Sequence, residues 1–203
     1  MGYEKNVFIN CPFDNEYLPL LRPLLFTILY HGFEPRIATE NSDSGLPRIE
    51  KIKKLISESK FSIHDLSRIQ SSKRNEFYRL NMPFELGIDF GCRLYSGIEH
   101  SEKRFLILEK ESFRYMKAFS DINGLDIKSH KNEPLEVVRA ARNWFGETVK
   151  FTSSKSATVI WYDFIDFFAK LYDDKIIEGF IEDDINFMPI PELIENMKIW
   201  FNN

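Results

Sequence analysis

Four short β-rich runs alternate with stretches whose apolar residues recur at helical spacing, and that alternation constrains the fold of this chain more than anything else in it. Val7 to Phe13, closed by Pro12, reads as a central strand. Asp14 follows in a loop, and Glu16 to Tyr30 reads as a helix that His31 and Gly32 end, with glycine where a left-handed cap is expected. Glu34 to Thr39 reads as a second strand. A polar turn, Asn41 to Gly45, leads to Pro47, which opens a helix to about Ser59 with Ile49, Ile52, Leu55 and Ile56 on one stripe. Phe61 to Leu66 is a third strand, Ser67 to Leu80 a polar loop, Met82 to Tyr95 a third helix ended by Gly97, and Arg104 to Leu108 a fourth strand. The order β-α-β-α-β-α-β predicts an α/β fold: a parallel sheet with helices on both faces.

Beyond Glu109 the pattern thins. Phe113 to Phe119 reads as a loop or short helix, Asn123-Gly124 as a turn, and Leu125 to Ile127 as a brief edge strand. Pro134 to Phe145 is amphipathic, and Thr158 to Tyr172 and Pro191 to Phe201 are further helices. Thr152 to Ser156 is the linker-like stretch. It divides an α/β domain over 1–150 from a helical carboxyl-terminal extension over 151–203, expected to pack on it.

At 203 residues the chain can bury a core without staples. Two cysteines, Cys11 and Cys92, make no disulfide framework and suit a reducing, cytoplasmic setting. Met1 to Asn6 runs straight into a strand, so no signal peptide is expected. The apolar run from Leu18 to Tyr30, broken by Arg22 and Pro23, is too short to span a bilayer, so no membrane partner is expected. From Val159 to Asn203 ten acidic residues face three basic ones, which leaves the rest mildly basic under a net charge of −4. That balance argues against nucleic acid as a partner and is compatible with a small anionic ligand. Lys73 to Arg79 mixes basic and aromatic residues, but one short patch neutralises too little phosphate and reads better as a solvated loop.

Chemistry concentrates where the third strand ends and the third helix begins. Asp65, Ser67, Arg68, Asn81 and Glu85 fall outside the carboxyl ends of the strands, where an open α/β sheet keeps its site. Glu85, two residues after Pro83, either complements the helix dipole or points into a cleft; the apolar character of its helix favours the cleft. Gly87 and Gly91 are expected to let that helix approach the sheet closely. Asp65 is either a turn residue or a member of the site. Arg68 either pairs with Asp65 or grips a phosphate or carboxylate bidentately. His64, one residue earlier, should point the opposite way. Glu40, Asp43, Ser44, Gly45 and Arg48 form a second polar cluster whose turn could hold an anion through backbone amides. Asn10, Phe13 and Asp14 follow the first strand and would line the same edge. No P-loop, GxGxxG or GxSxG is present, and Cys and His are too scattered for a zinc site, so no metal or cofactor is expected.

Taken as a set, Val7 to Asp14, Glu40 to Arg48, Ile63 to Arg68 and Asn81 to Gly87 resemble bacterial proteins like the Toll/interleukin-1 receptor (TIR) domain. That flavodoxin-like fold is close to the nucleoside 2-deoxyribosyltransferases, and the resemblance covers roughly residues 5 to 145. It implies that Glu85, within Phe84-Glu-Leu-Gly87, is the catalytic carboxylate at a glycosidic bond; Asp65, from its place at the strand end, is the second candidate catalytic residue. Departures are visible: Asn81-Met-Pro83 stands where the transferases carry Ser-Gly-Thr, and the Cys or Trp that TIR enzymes usually place before the glutamate is missing. The resemblance implies an N-glycosidase acting on NAD or a related nucleotide, in bacterial antiviral defence or signalling. Arg68 or the Ser44-Gly45 turn would then hold the pyrophosphate, and Phe13 would stack on the base. The alternative is a nucleotide-sensing or protein-assembly module without turnover, which self-associates or binds a partner protein.

Overall fold

The computed structural model describes residues 2–40, 42–69, 80–122, 124–150 and 155–202. Its centre is a five-stranded, all-parallel sheet of β1 (Asn6–Asn10), β2 (Glu34–Ile37), β3 (Phe61–Asp65), β4 (Arg104–Glu109) and β5 (Lys128–Ser129). The strand order is β2-β1-β3-β4-β5. This is the flavodoxin-like order, whose direction of winding reverses between β1 and β3. In register, Ile9 faces Ile63, Asn10 faces His64 and Asp65 faces Leu108.

Helices α1 (Leu18–Tyr30) and α4 (Pro134–Glu147) cover one face of the sheet; α2 (Arg48–Ser57) and α3 (Asn81–Tyr95) cover the other. Strand alternation sorts the side chains between them. Val7, Ile9, Phe61, Ile63, Leu106 and Leu108 enter the larger core with α1 and α4. Phe8 turns to α2, and Ile107 and Leu66 join Leu86 of α3. Helix α1 is apolar nearly all round because it is buried nearly all round. The helices α5 (Ala157–Ile177) and α7 (Ile190–Asn202) supply Ile160, Phe164, Phe167, Leu193 and Met197 to the same core, where Phe26 of α1 meets Phe164 edge-on and Phe167 at a tilt.

Several boundaries differ from the sequence reading. β2 stops at Ile37, and Ala38–Glu40 winds into a 3-10 turn. The edge strand forms at Lys128–Ser129 rather than Leu125 to Ile127, because Ile127 is drawn into the core beneath α3. Phe113 to Phe119 contains a 3-10 turn at Arg114–Lys117, entered through Phe113 in the left-handed region (φ 63°). α5 runs past Tyr172 to Ile177, and a short helix, α6 (Glu182–Asn186), is one the periodicity did not reveal. Asn41, the Lys73 to Arg79 segment, Asn123 and Thr152 to Ser154 lie outside the described residues. Among the described residues no helix is long and apolar enough to cross a membrane.

Candidate functional site

The crevice outside β1 and β3 holds two polar assemblies, one on each face of the sheet. On the α2/α3 face, Glu85 sits one turn into α3 with 4% of its surface exposed. Its Oε1 accepts from Arg48 Nη2 at 3.1 Å, and Arg48 itself is half exposed at the start of α2. Glu85 Oε2 takes no hydrogen bond from any described residue. Burial pushes the carboxyl above its ordinary range, against the opposing pull of Arg48 and His64.

Beneath Glu85 runs a chain of buried polar groups. Asn10 Nδ2 donates to the Met82 carbonyl at 2.9 Å and faces His64 Nδ1 at 2.9 Å, so Nδ1 is the acceptor and Nε2 carries the proton. That Nε2–H donates to Asp89 Oδ2 at 3.1 Å, and Ser62 Oγ donates to the same oxygen. Asp89 Oδ1 lies 3.1 Å from Lys103 Nζ, and both side chains are wholly buried. The remaining Nζ protons reach the Ile56 carbonyl at 2.8 Å and the Ser59 carbonyl. Burial alone would raise the Asp89 carboxyl; the hydrogen bond from His64 and the charge on Lys103 outweigh it and hold it below its ordinary range.

On the opposite face Asp65 is equally buried and fully occupied. It accepts from Tyr17 Oη at 2.6 Å and from the Ser67 backbone N–H at 2.7 Å, and lies 3.1 Å from His130 Nε2. Burial pushes this carboxyl up, but the bonds from His130, Ser67 and Tyr17 bring it below its ordinary range. Ser67 Oγ is 2.8 Å from His130 Nε2. A serine, a histidine and an aspartate therefore meet here, yet not as a relay. Both contacts fall on one ring nitrogen, while Nδ1 accepts the Asn132 N–H at 3.0 Å. A proton relay needs the base and its orienting carboxylate on different nitrogens. Arg114, paired with buried Glu109, closes this side by donating to the Ser67 carbonyl at 2.6 Å.

Asp65 and Glu85 thus end on opposite faces, as His64 and Asp65 must in consecutive strand positions, and no contact joins them. Arg68 does not pair with Asp65. It bridges Asp14 at 2.9 Å and Glu16 at 3.0 Å, so its charge is met by two carboxylates. Glu40 pairs with Arg36 at 2.9 Å. Asp43 Oδ1 accepts the Gly45 N–H at 2.8 Å, which occupies the amide expected to meet an anion. Ser44 and Asn81 are exposed, and Phe13 packs half-buried against the large core. Of the expected residues, Arg48 and Glu85 pair directly, while Asn10 bonds separately to the Met82 carbonyl and to His64. Gly87 and Gly91 do not bring α3 close to the sheet: a Cβ built at either meets nothing within 4 Å. Tyr17, Asp89, Lys103, Glu109, Arg114 and His130 escaped the sequence reading. The one signal was their type, since a charged or ring side chain beside a strand end reads as surface until a distant partner is known.

Cys11 lies between the assemblies. Burial raises its thiol well above the ordinary range, with Asp65, Glu85 and Asp14 adding to it, so it is a core thiol rather than a nucleophile. No group of His, Cys, Asp and Glu able to hold a metal ion occurs among the described residues.

Two expected results follow from this geometry. Asp65→Asn leaves three donors with one good acceptor, and should cost about 2 kcal/mol of unfolding free energy in a urea titration. The Glu85 carboxyl has the opposite sign to Asp65 and Asp89. Its folded pKa is raised, so stability falls as pH rises from about 4.5 through the folded value. Asp65 and Asp89 have lowered folded values, so their contribution is lost as pH falls below about 4. Glu85→Gln should therefore flatten the melting-temperature profile above about pH 4.5 and leave the acid-side fall in place.

Compared with protein-family models, curated proteins and solved structures, the chain finds no match.

Proposed function

We propose that this chain is an N-glycosidase that cleaves the bond between base and ribose in NAD or a related nucleotide, with Glu85 as the carboxylate at the anomeric carbon. The observation that carries the reading is the state of Glu85: buried at the reversal of strand order, Oε1 held by Arg48, and Oε2 without a partner among the described residues. A carboxylate so placed can stabilise an oxocarbenium-like centre or trap it covalently, and poor hydration strengthens its field. The carbon–nitrogen bond breaks with its electron pair leaving on the base. Nicotinamide departs neutral from a cationic ring and needs no acid. Water then adds to the anomeric carbon and gives up a proton, for which the Glu85 carboxylate is the nearest acceptor on this face. Arg48, rather than Arg68, is the cation placed to meet a phosphate, because it is half exposed and engages one carboxylate oxygen. A role in bacterial antiviral defence, in the cytoplasm, belongs to the same proposal and rests on the sequence resemblance.

A second reading, a nucleotide-sensing or assembly module without turnover, is favoured by the neutralised Arg68 and by the absence, among the described residues, of contact between Glu85 and a second carboxylate. Incubating the purified chain with NAD and with nucleosides, then separating free base by chromatography, decides between them. Base release at a rate proportional to protein supports the enzyme. No release at any protein concentration, with ligand binding retained, supports the module.

A further inference from the structure

Helix α3 has two lives. One side carries Glu85 and Asp89 into the interior, and its Arg93 lies over the Phe105 ring at 5.6 Å. The other side faces solvent and, among the described residues of α3, bears no charge. Along it lie Leu80 (63% exposed), Phe84 (61%), Gly87, Gly91, Leu94 (64%) and Tyr95 (85%), and past the Gly97 turn Ile98 (91%) opens a 3-10 turn. Soluble chains do not usually leave such a contiguous apolar stripe uncovered. The glycines do not serve internal packing, because nothing lies within 4 Å of where their Cβ atoms would be.

The spacing of the stripe identifies its occupant. Phe84 and Leu94, and Gly87 and Gly91, are each placed symmetrically about position 89 of α3, with Leu80 at its N-cap and Ile98 beyond the Gly97 turn that follows it. A two-fold axis through the outward face at that level turns the stripe onto itself with the helices antiparallel. Phe84 of one copy then meets Leu94 of the other, and the glycines meet at the crossing. This is the pairing an isologous interface requires, residue i on j and j on i. Lacking charge, the face offers an acidic or basic partner nothing to pair with and meets no like-charge repulsion from its own copy. The five large side chains expose roughly 700 Å² per copy, near the about 800 Å² per partner of a standard specific interface. The geometry points to a symmetric dimer of this chain, formed by antiparallel α3 helices crossing at Gly87 and Gly91.

The dimer does not depend on the N-glycosidase reading, since the paired face is turned away from Glu85. Sedimentation of the full chain over a concentration series should show a reversible monomer–dimer equilibrium and no higher species. Gly91→Arg, whose Cβ has free space within the monomer, should weaken association at least about thirtyfold with an unchanged circular dichroism spectrum. A chain carrying both Phe84→Cys and Leu94→Cys should give, on mild oxidation, one covalent dimer that the wild type does not form. The inference is overturned if the wild type stays monomeric at its highest soluble concentration, or if Gly91→Arg associates like wild type. A ladder of oligomers from the double-cysteine chain, the product of head-to-tail packing, overturns it as well.

Discussion

Glu85→Gln should lower the rate of base release by about 10²–10³-fold or more while leaving the protein folded. Glutamine keeps the shape of glutamate and can still accept from Arg48 through its amide oxygen. What it loses is negative charge at Oε2, the atom with no partner among the described residues. Because burial already disfavours that charge, the neutral variant should melt no lower than wild type at neutral pH, so loss of turnover cannot be ascribed to unfolding. The split between kcat and KM is informative. A carboxylate acting on the oxocarbenium-like centre acts in the transition state, so kcat should fall with KM little changed. A folded variant with wild-type turnover would assign Glu85 to structure and return the chain to the non-catalytic reading. Arg48→Gln probes the other half of the pair. Without the guanidinium the Glu85 carboxyl should move further up, so any pH–rate profile governed by its ionisation should move to higher pH.

The second large effect lies out of reach of any ligand. Lys103→Met should cost about 3–5 kcal/mol of folding stability, because it leaves Asp89 buried without its lysine and frees two carbonyls that Nζ had bound. The methionine fills most of the lysine stem's volume, so the loss is electrostatic rather than a cavity. Two further measurements separate these causes. The deficit should shrink as pH is lowered, since protonation of Asp89 relieves the unpaired charge. Adding Asp89→Asn to Lys103→Met should cost less than the two single changes summed, the sign of a shared interaction. Equal deficits at pH 5 and 8 would mean that packing dominates.

These two residues mark what the sequence conveyed and what it withheld. The four long strands were legible: β1, β3 and the last four residues of β4 are buried on both faces around β-branched and aromatic residues, a pattern local to a few residues, while β2 alternates between buried Pro35 and Ile37 and half-buried Glu34 and Arg36. β5 was not legible, being two residues held by pairing with Leu108 and Glu109. Nor was α6, whose acidic first turn resembles a surface loop. Glu85 stood out because a carboxylate opens an apolar helix. Asp89, four residues on, carries the same charge on the same helix, but its meaning depends on Lys103 and His64, which adjoin it only after β3 and β4 pair. Lys103 precedes a strand and looks like an ordinary loop charge until the carbonyls of Ile56 and Ser59 close on it. Asp65 and Arg68, three residues apart, invited a pairing that the fold declines. A tyrosine at Tyr17 and a histidine at His130 claim the aspartate, and Asp14 and Glu16 claim the arginine.

Strand β3 sends His64 to one face of the sheet and Asp65 to the other, each into a set of partners built for that group alone. A slip of one residue against β1 and β4 would exchange them, setting the Asp65 carboxylate against that of Asp89 and the imidazole against the Tyr17 hydroxyl. Apolar alternation already resists such a slip, but a phenylalanine or isoleucine can find some burial in either frame. Two like charges in a dry interior cannot. The central strand thereby checks its own alignment: a misthreaded chain is rejected by electrostatic repulsion before any question of packing arises.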